Sequence, residues 1–270
     1  MTRRSIHTRI VPPAACVGLI ASVPLSLTWT AGQAHAQVTF DQKLLAPDGS
    51  AEDQFGFSVA LSGPNALVGS WRDGDNGSLA GSAYLFDATT GSLVHKLTAP
   101  DSAAGDLFGV SVAVSGTTAL VGSYLEDDTG TNSGSAYLFD TTTGSLISKL
   151  TAPDGAATDF FGFSVAGSGN TALVGSYLDD DNGFQSGSAY LFDTTTGSLI
   201  SKLTAPDGAE SDAFGFSVAI SGNTALVGSY ADDDNGGSSG SAYLFDATTG
   251  SLLQKFTAPD GAAGDQFGYS

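Results

Sequence analysis

Four short segments rich in aspartate and asparagine carry the side chains in this sequence that are best suited to bind a cation. Carboxylate and carbonyl oxygens are hard ligands of the kind that Ca²⁺ prefers, and extracellular calcium sites can be as weak as roughly 10⁻⁴ to 10⁻³ M. A bound cation would relieve the repulsion between neighbouring carboxylates. The alternative is a set of solvated turns, where aspartate and asparagine are favoured in any case. The candidate metal ligands are Asp73, Asp75 and Asn76; Asp127 and Asp128; Asp179, Asp180, Asp181 and Asn182; and Asp232, Asp233, Asp234 and Asn235.

A repeat of 53 residues sets the spacing of these segments. A Phe-Gly pair begins each copy, and its phenylalanines are Phe55, Phe108, Phe161, Phe214 and Phe267. Four complete units span residues 55–107, 108–160, 161–213 and 214–266, and a fifth is cut off at 267–270. A fixed period of this length indicates a propeller or a solenoid.

Each unit contains four short β-like runs separated by turn residues. In the last complete unit, residues 214–221 alternate large and small side chains, which indicates a strand. Residues 225–230 and 242–245 are apolar on both faces, as buried strands are, and residues 252–257 form the fourth run. The pattern predicts an all-β fold, a β-propeller of four-stranded antiparallel blades. With four complete repeats plus partial flanking strands, the ring is expected to be incomplete or truncated.

The acidic segments are expected to lie on one rim of the propeller. In a meander, alternate connections share a rim, so the loop between the second and third runs lies beside the blade-to-blade loop, residues 206–212 in one copy. Arg72 is the one cation that we expect near enough to offset this negative charge. The opposite rim receives Asp87, Asp140, Asp193 and Asp246.

A lysine occupies the fourth run of every unit. These residues are Lys96, Lys149, Lys202 and Lys255. A lysine on an outer strand protects an exposed edge from pairing with another chain. We favour this interpretation over a ligand-binding lysine.

The composition excludes several classes of function. The 270 residues include 9 basic and 28 acidic ones, for a net charge of −19. This charge disfavours nucleic acid as a partner. The single cysteine excludes an internal disulfide and a cysteine-built zinc site.

Residues 1–36 have the features of a signal peptide. Arg3 and Arg4 precede a mostly apolar run at 14–29, and Ala34 and Ala36 provide small residues at the cleavage positions. Sec and twin-arginine export both stay open. We therefore expect the mature chain, residues 37–270, to be secreted or held at the cell surface, with the periplasm as an alternative, and to contain no membrane span.

The repeat resembles the FG-GAP repeat of integrin α-chain propellers and their bacterial secreted relatives. The matching residues in the last complete unit are Phe214-Gly215, Gly228-Ser229-Tyr230 and the run Gly240-Ser241-Ala242-Tyr243-Leu244-Phe245. The resemblance implies an extracellular propeller used for adhesion or ligand binding, often with calcium. The calcium loop of integrin repeats joins the first two strands, where this chain has only Ser221-Gly222-Asn223. That calcium site therefore does not carry over.

Three functions remain open at this stage. The favoured one is a binding or adhesion module that contacts an extracellular protein or glycan through the acidic loops. The second is a structural surface-layer protein that self-associates through open blade edges. The third is a quinoprotein-like propeller enzyme, which residues 190–197 resemble. We expect no enzymatic activity and no certain cofactor, because near-identical units lack the asymmetric set of groups that catalysis needs.

Overall fold

A computed structural model describes residues 42–270 of the chain. The predicted signal peptide, its cleavage position and its export route lie outside the described residues. Within the described part, no helix is long and apolar enough to cross a membrane. The described residues form sixteen β-strands and no helix.

The strands form four separate sheets of four strands each. In every sheet the strands are antiparallel and neighbours in sequence are neighbours in space. The sheets comprise β1 (Val59–Ser62), β2 (Asn65–Ser70), β3 (Ser82–Asp87) and β4 (Leu93–Leu97); β5 (Ser111–Ser115), β6 (Thr118–Ser123), β7 (Ser135–Asp140) and β8 (Leu146–Leu150); β9 (Ser164–Ser168), β10 (Thr171–Ser176), β11 (Ser188–Asp193) and β12 (Leu199–Leu203); and β13 (Phe214–Ser221), β14 (Thr224–Ser229), β15 (Ser241–Asp246) and β16 (Leu252–Phe256). One sheet corresponds to one repeat unit.

The apolar core lies between adjacent sheets. The middle strands of each unit, such as β6 and β7, are buried almost throughout, whereas the fourth strands, such as β8, are only partly buried. In one core cluster, Leu67 and Leu85 of the first sheet pack with Val121 and Phe139 of the second. A single four-stranded sheet could not cover both faces of its middle strands, so stacking of repeats is what buries them.

The Phe-Gly pair fastens each unit to the sheet before it. Phe108 forms a parallel bridge with Gly81 of the first unit, and its ring packs edge-on against Tyr137 of its own unit at 5.5 Å. Gly109 has a φ of +91°, and a Cβ there would collide with the carbonyl oxygen of Ser82. A Cβ on Gly69 would in turn collide with the carbonyl oxygen of Gly109. Glycine is needed at both positions because two backbones meet there.

The arrangement is propeller-like, and the ring is not closed. Successive first strands β1, β5, β9 and β13 lie next to one another. The side of β1 that faces away from the second unit is bare, with Val59 and Leu61 about 70% exposed. The flanking segments are less regular than expected: residues 42–46 form no strand, although Leu44 and Ala46 pack against the first sheet. Phe267 makes only an isolated bridge.

Candidate functional site

The acidic loops, the fourth-strand lysines and the third-strand tyrosines meet in four equivalent groups, which we call the lysine clusters. The third and fourth strands pair each tyrosine directly with a lysine, as in Tyr84 opposite Lys96. Directly opposite residues share a face of the sheet. The clusters are Lys96 with Asp48, Asp73, Asp75 and Tyr84; Lys149 with Asp101, Glu126, Asp128 and Tyr137; Lys202 with Asp154, Asp179, Asp181 and Tyr190; and Lys255 with Asp207, Asp232, Asp234 and Tyr243.

The cluster of the fourth unit shows the geometry that the first and third units share. The Nζ of Lys255 lies 2.7 Å from Asp207, 3.0 Å from Asp232 and 2.5 Å from Asp234. The same ammonium sits 5.0 Å from the centroid of the Tyr243 ring. The hydroxyl oxygen of Tyr243 lies 2.9 Å from a carboxylate oxygen of Asp207 and 2.7 Å from one of Asp232, so its single proton is shared between the two acceptors. One ammonium and one hydroxyl therefore hold three carboxylates together.

Each cluster joins a blade to the loop that precedes it. Asp48, Asp101, Asp154 and Asp207 come from the loop before their unit, 48 residues ahead of the lysine that they contact. The other two carboxylates come from the loop between the second and third strands. The cluster thus fixes two loops of the same rim against one sheet.

The four lysines lie on the outer strand of each sheet, as the edge-protection interpretation assumes, but they also form ion pairs that this interpretation did not include. Their side chains are about one-fifth exposed and face the carboxylates of the acidic loops. The expectation that Arg72 is the one cation near the acidic rim is wrong, because four lysines contact the acidic loops directly. Arg72 does line a surface pocket together with Glu52, Asp53 and Asp75. Within the described residues Arg72 forms no ion pair and stacks on the ring of Trp71 at 5.2 Å. The four lysines supply the counter-charge instead.

The clusters shift the pKa values of their members in opposite directions. The hydrogen bond from Lys96 lowers the pKa of Asp48. Burial alone would raise the pKa of Asp232, but the hydrogen bonds from Tyr243 and Lys255 outweigh it and lower that pKa. Burial disfavours the charge of Lys96, yet its hydrogen bonds to Asp48 and Asp75 raise its pKa above the ordinary lysine value. The geometry therefore favours the ion pairs over their neutral forms.

The structure divides the predicted metal ligands into three kinds. Asp73, Asp179 and Asp232 are buried members of the lysine clusters. Asp75, Asp128, Asp181 and Asp234 are also cluster members, but their side chains are 58%, 47%, 44% and 49% exposed. The remaining candidates, whose side chains make no ion pair with a lysine, are Asn76, Asp127, Asp180, Asn182, Asp233 and Asn235.

Residues of this last kind shape their own loops. The carboxylate of Asp127 accepts a hydrogen bond from the backbone N–H of Asn132 at 2.7 Å, and that of Asp180 accepts one from Gln185 at 2.6 Å. The side-chain amide of Asn182 donates to the carbonyl of Ala205 at 3.3 Å. These contacts agree with the solvated-turn interpretation of part of the acidic segments.

Sequence reasoning missed Glu126 and the four aspartates of the preceding loops. The signal for the aspartates was present, because a Pro-Asp pair recurs every 53 residues, at Pro47, Pro100, Pro153, Pro206 and Pro259. Glu126 lies where the other units have aspartate, one residue before the candidates Asp127 and Asp128. Its carboxylate is 8% exposed and 3.1 Å from Lys149.

Calcium would have to compete with a lysine at these clusters. Asp101, Glu126 and Asp128 each offer an oxygen within 4.8 Å of the others, which suits a hard cation. However, the Nζ of Lys149 lies 2.6 Å from Asp101 and 3.1 Å from Glu126. The donor atoms fit Ca²⁺, but the space between them is taken. Calcium binding stays a prediction, and it requires that the lysine side chain move out of the space between the carboxylates.

A second set of aspartates is buried in the blade-to-blade loops. Asp159 is only 4% exposed. Its carboxylate accepts a hydrogen bond from the backbone N–H of Ala156 at 2.6 Å. Burial, together with the nearby charges of Asp179 and Asp180, raises the pKa of Asp159 to about 6. The same burial raises the pKa of Asp106. These groups hold the loop in shape and make no ion pair with a lysine.

Comparison with known proteins agrees with the repeated architecture. A family profile described as the FG-GAP repeat matches residues 38–86, 92–139, 145–192 and 198–245, which together are well over half of the chain. A solved structure, Kuenenia stuttgartiensis hydrazine synthase, is similar with a TM-score of 0.50 and 14% sequence identity. The similarity covers 79% of this chain and 53% of that one, so this chain spans about half the length of that relative. At such low identity the likeness shows the fold alone. No curated protein matches the chain.

Proposed function

Because this chain belongs to the FG-GAP repeat family, we propose that it is a secreted or cell-surface binding module whose acidic rim recognises a basic surface of an extracellular protein. The observation that carries the proposal is the set of four lysine clusters. Each cluster holds three carboxylates against one ammonium and so keeps an excess of two negative charges. The excess repeats in every unit along the same rim.

The rim presents this charge in a fixed arrangement. The buried acid of each cluster is held by the lysine, and in three of the four units also by the tyrosine hydroxyl. The exposed acid reaches solvent while it contacts the same lysine. A rigid display lowers the entropy that a partner must lose on binding. Several equivalent contacts also combine through avidity, even when each is weak.

The negative charge favours a cationic partner over an anionic one. Complementary charge speeds encounter and suppresses partners of the same sign. The chain as a whole carries a net charge of −19, which disfavours polyanions as partners.

Binding of a decalysine peptide, measured by isothermal titration calorimetry at low salt, tests the proposal. The rim variant replaces Asp127, Asp180 and Asp233 with Asn, which removes three charges that do not hold a lysine. The matched control replaces Asp140, Asp193 and Asp246 with Asn at the opposite rim. If each exposed charge contributes about 0.5 kcal/mol, the rim variant binds about tenfold more weakly.

Two results would contradict the proposal. Equal weakening in the rim variant and the control would show that net charge alone is responsible. Binding of a neutral oligosaccharide, with none of the peptide, would instead support the glycan alternative. Repeating the titration with millimolar Ca²⁺ and with a chelator tests calcium dependence separately. Tighter binding in Ca²⁺ would support it, and unchanged binding would argue against it.

A structural role is the second candidate, and the open ends of the ring favour it. Leu61 in β1 is 71% exposed and Leu226 in β14 is 37% exposed. Between inner units, the equivalent strands are buried against one another. A second copy could cover these faces, because exposed apolar sheet surfaces promote association. Sedimentation velocity over a concentration series tests this, and a Leu61→Lys variant should remain monomeric where the parent chain associates.

A further inference from the structure

An apolar cavity lies where the first, second and third units meet, and no charged side chain lines it. Its volume is about 290 Å³. No residue of a lysine cluster lines it, so the proposed function leaves it unexplained. The lining residues are Phe57, Trp71, Leu107, Val110, Tyr124 and Phe163.

Two repeat positions supply most of the aromatic walls. The first position follows each Phe-Gly pair and holds Phe57, Val110, Phe163, Phe216 and Tyr269. The second position follows each Gly-Ser pair at the end of a second strand and holds Trp71, Tyr124, Tyr177 and Tyr230. Four of the five residues at the first position are aromatic, and Val110 is the exception.

In the later units, a ring at the first position fills the space between two rings of the second position. Phe163 lies 5.4 Å from Tyr124 of the preceding unit and 4.6 Å from Tyr177 of its own. Phe216 repeats this arrangement, 5.2 Å from Tyr177 and 4.6 Å from Tyr230. Phe163 and Phe216 also contact each other, with ring centroids 5.1 Å apart. The rings form one continuous stack.

Val110 interrupts this stack. By the repeat, the residue at 110 should place a ring between Trp71 and Tyr124, with Phe57 on one side and Phe163 on the other. Those four residues are all walls of the cavity. The cavity is therefore the space that a phenyl ring occupies in the other units. Phe57 is 58% exposed, so this wall lies at the surface, where a ligand can enter.

From this geometry we infer that the cavity binds a single uncharged aromatic ring, the size of a phenylalanine side chain. Aromatic walls favour edge-to-face contact with another ring, the arrangement that most of the neighbouring rings of this chain adopt. Apolar cavities smaller than this one bind benzene. The net charge of −19 disfavours a carboxylate on the ring. The inference is independent of the proposed function, because it involves none of the lysine clusters.

Titration with toluene, followed by the methyl resonances of Leu107 and Val110 in NMR spectra, tests the inference. We expect saturable shifts with one site per chain, and at least tenfold weaker binding of benzoate. In a Val110→Phe variant the new side chain fills the cavity. Toluene binding should then fall at least tenfold, read from Leu107, while the melting temperature rises by a few degrees.

A second variant tests whether the missing ring itself creates the binding site, independently of any other effect of the Val110→Phe substitution. Phe216→Val should open an equivalent cavity between Tyr177 and Tyr230, so toluene should bind at two sites per chain. Absence of saturable binding to the parent chain, or equal binding to Val110→Phe, would overturn the inference. A titration with N-acetyl-phenylalanine amide tests whether the natural ligand is a polypeptide side chain or a free aromatic molecule. If the amide binds more tightly than toluene, the site is assigned to a polypeptide side chain. If the amide does not bind, the site is assigned to free aromatic molecules.

Discussion

The second and third repeat units have the same fold and equivalent lysine clusters, but the buried acid of the cluster accepts its hydroxyl hydrogen bond from a different residue in each. In the third unit, Asp179 accepts from the hydroxyl of Tyr190 at 2.7 Å, and the buried hydroxyl of Ser188 has no partner. In the second unit, Glu126 reaches the equivalent serine, Ser135, at 2.7 Å. One added methylene group moves the carboxylate from the tyrosine to the serine.

This difference shows that a repeat can keep its architecture while single residues change its chemistry. Ser82 and Ser241 are unpartnered like Ser188, so the second unit is the exception. The same unit carries Val110, which opens the aromatic cavity. Both departures change a side-chain contact and leave the strands intact.

Removal of the cluster lysine should give the largest loss of stability in both units. Lys202→Met leaves three carboxylates without a counter-charge, one of them buried, and should lower the free energy of unfolding by about 3 kcal/mol. Lys149→Met should cost about as much, because the buried acid keeps one hydroxyl hydrogen bond in each unit, from Tyr190 to Asp179 and from Ser135 to Glu126. Urea denaturation at pH 7 measures both. A clearly smaller loss in one unit would show that the two hydroxyls do not stabilise the buried acid equally.

The serine substitutions should give the next largest difference. Ser135→Ala removes a hydrogen bond to a charged group and should cost about 1.5 kcal/mol. Ser188→Ala removes a buried hydroxyl that has no partner, so its effect should lie within about 0.5 kcal/mol of zero and on the stabilising side. Thermal denaturation of the two variants under the same conditions compares them. A larger loss for Ser188→Ala would contradict the assignment of the unpaired hydroxyl.

The buried aspartates of the blade-to-blade loops should give a smaller, pH-dependent difference. The pKa of Asp159 is raised to about 6, so between about pH 4 and pH 6 the folded chain holds a proton that the unfolded chain has lost. The contribution of this group to stability is therefore present at low pH and is lost as pH rises through that window.

Asp159→Asn removes this dependence while it keeps an oxygen for the N–H of Ala156. The variant should be more stable than the parent at pH 7, by about 1 kcal/mol, and indistinguishable from it at pH 4. The measurement is the midpoint of urea denaturation from pH 4 to pH 8. Parallel pH curves for parent and variant would show that Asp159 titrates normally in the fold.

Much of the fold follows from the sequence, because the repeat and the alternation of side chains are local signals. The third run, predicted at residues 242–245, is β15 at Ser241–Asp246, and the second is β14 at Thr224–Ser229 rather than 225–230. The acidic segments are also in the predicted loops. Differences of one residue at strand ends reflect hydrogen bonds that a residue pattern does not encode.

The lysine clusters could not be predicted in the same way. Lys255 and Asp207 are 48 residues apart, and their contact depends on which face of β16 the lysine occupies. A register shift between Leu244 and Phe245 interrupts the pairing of β15 with β16, so simple alternation does not carry across it. The hydrophobic pattern alone therefore does not predict that the lysine lies beside the acidic loop.

The most direct test of the account is the titration of the lysine side chains, because the ammonium groups are what hold the carboxylates of the rim. Heteronuclear NMR of the Cε and Nζ resonances between pH 9 and pH 12, on the folded chain and on the same chain in urea, measures this. The hydrogen bonds to carboxylates predict that Lys96, Lys149, Lys202 and Lys255 keep their protons in the folded chain well above their unfolded pKa. Titration of these four lysines near the ordinary value of about 10.4 in the folded chain would contradict the existence of the clusters.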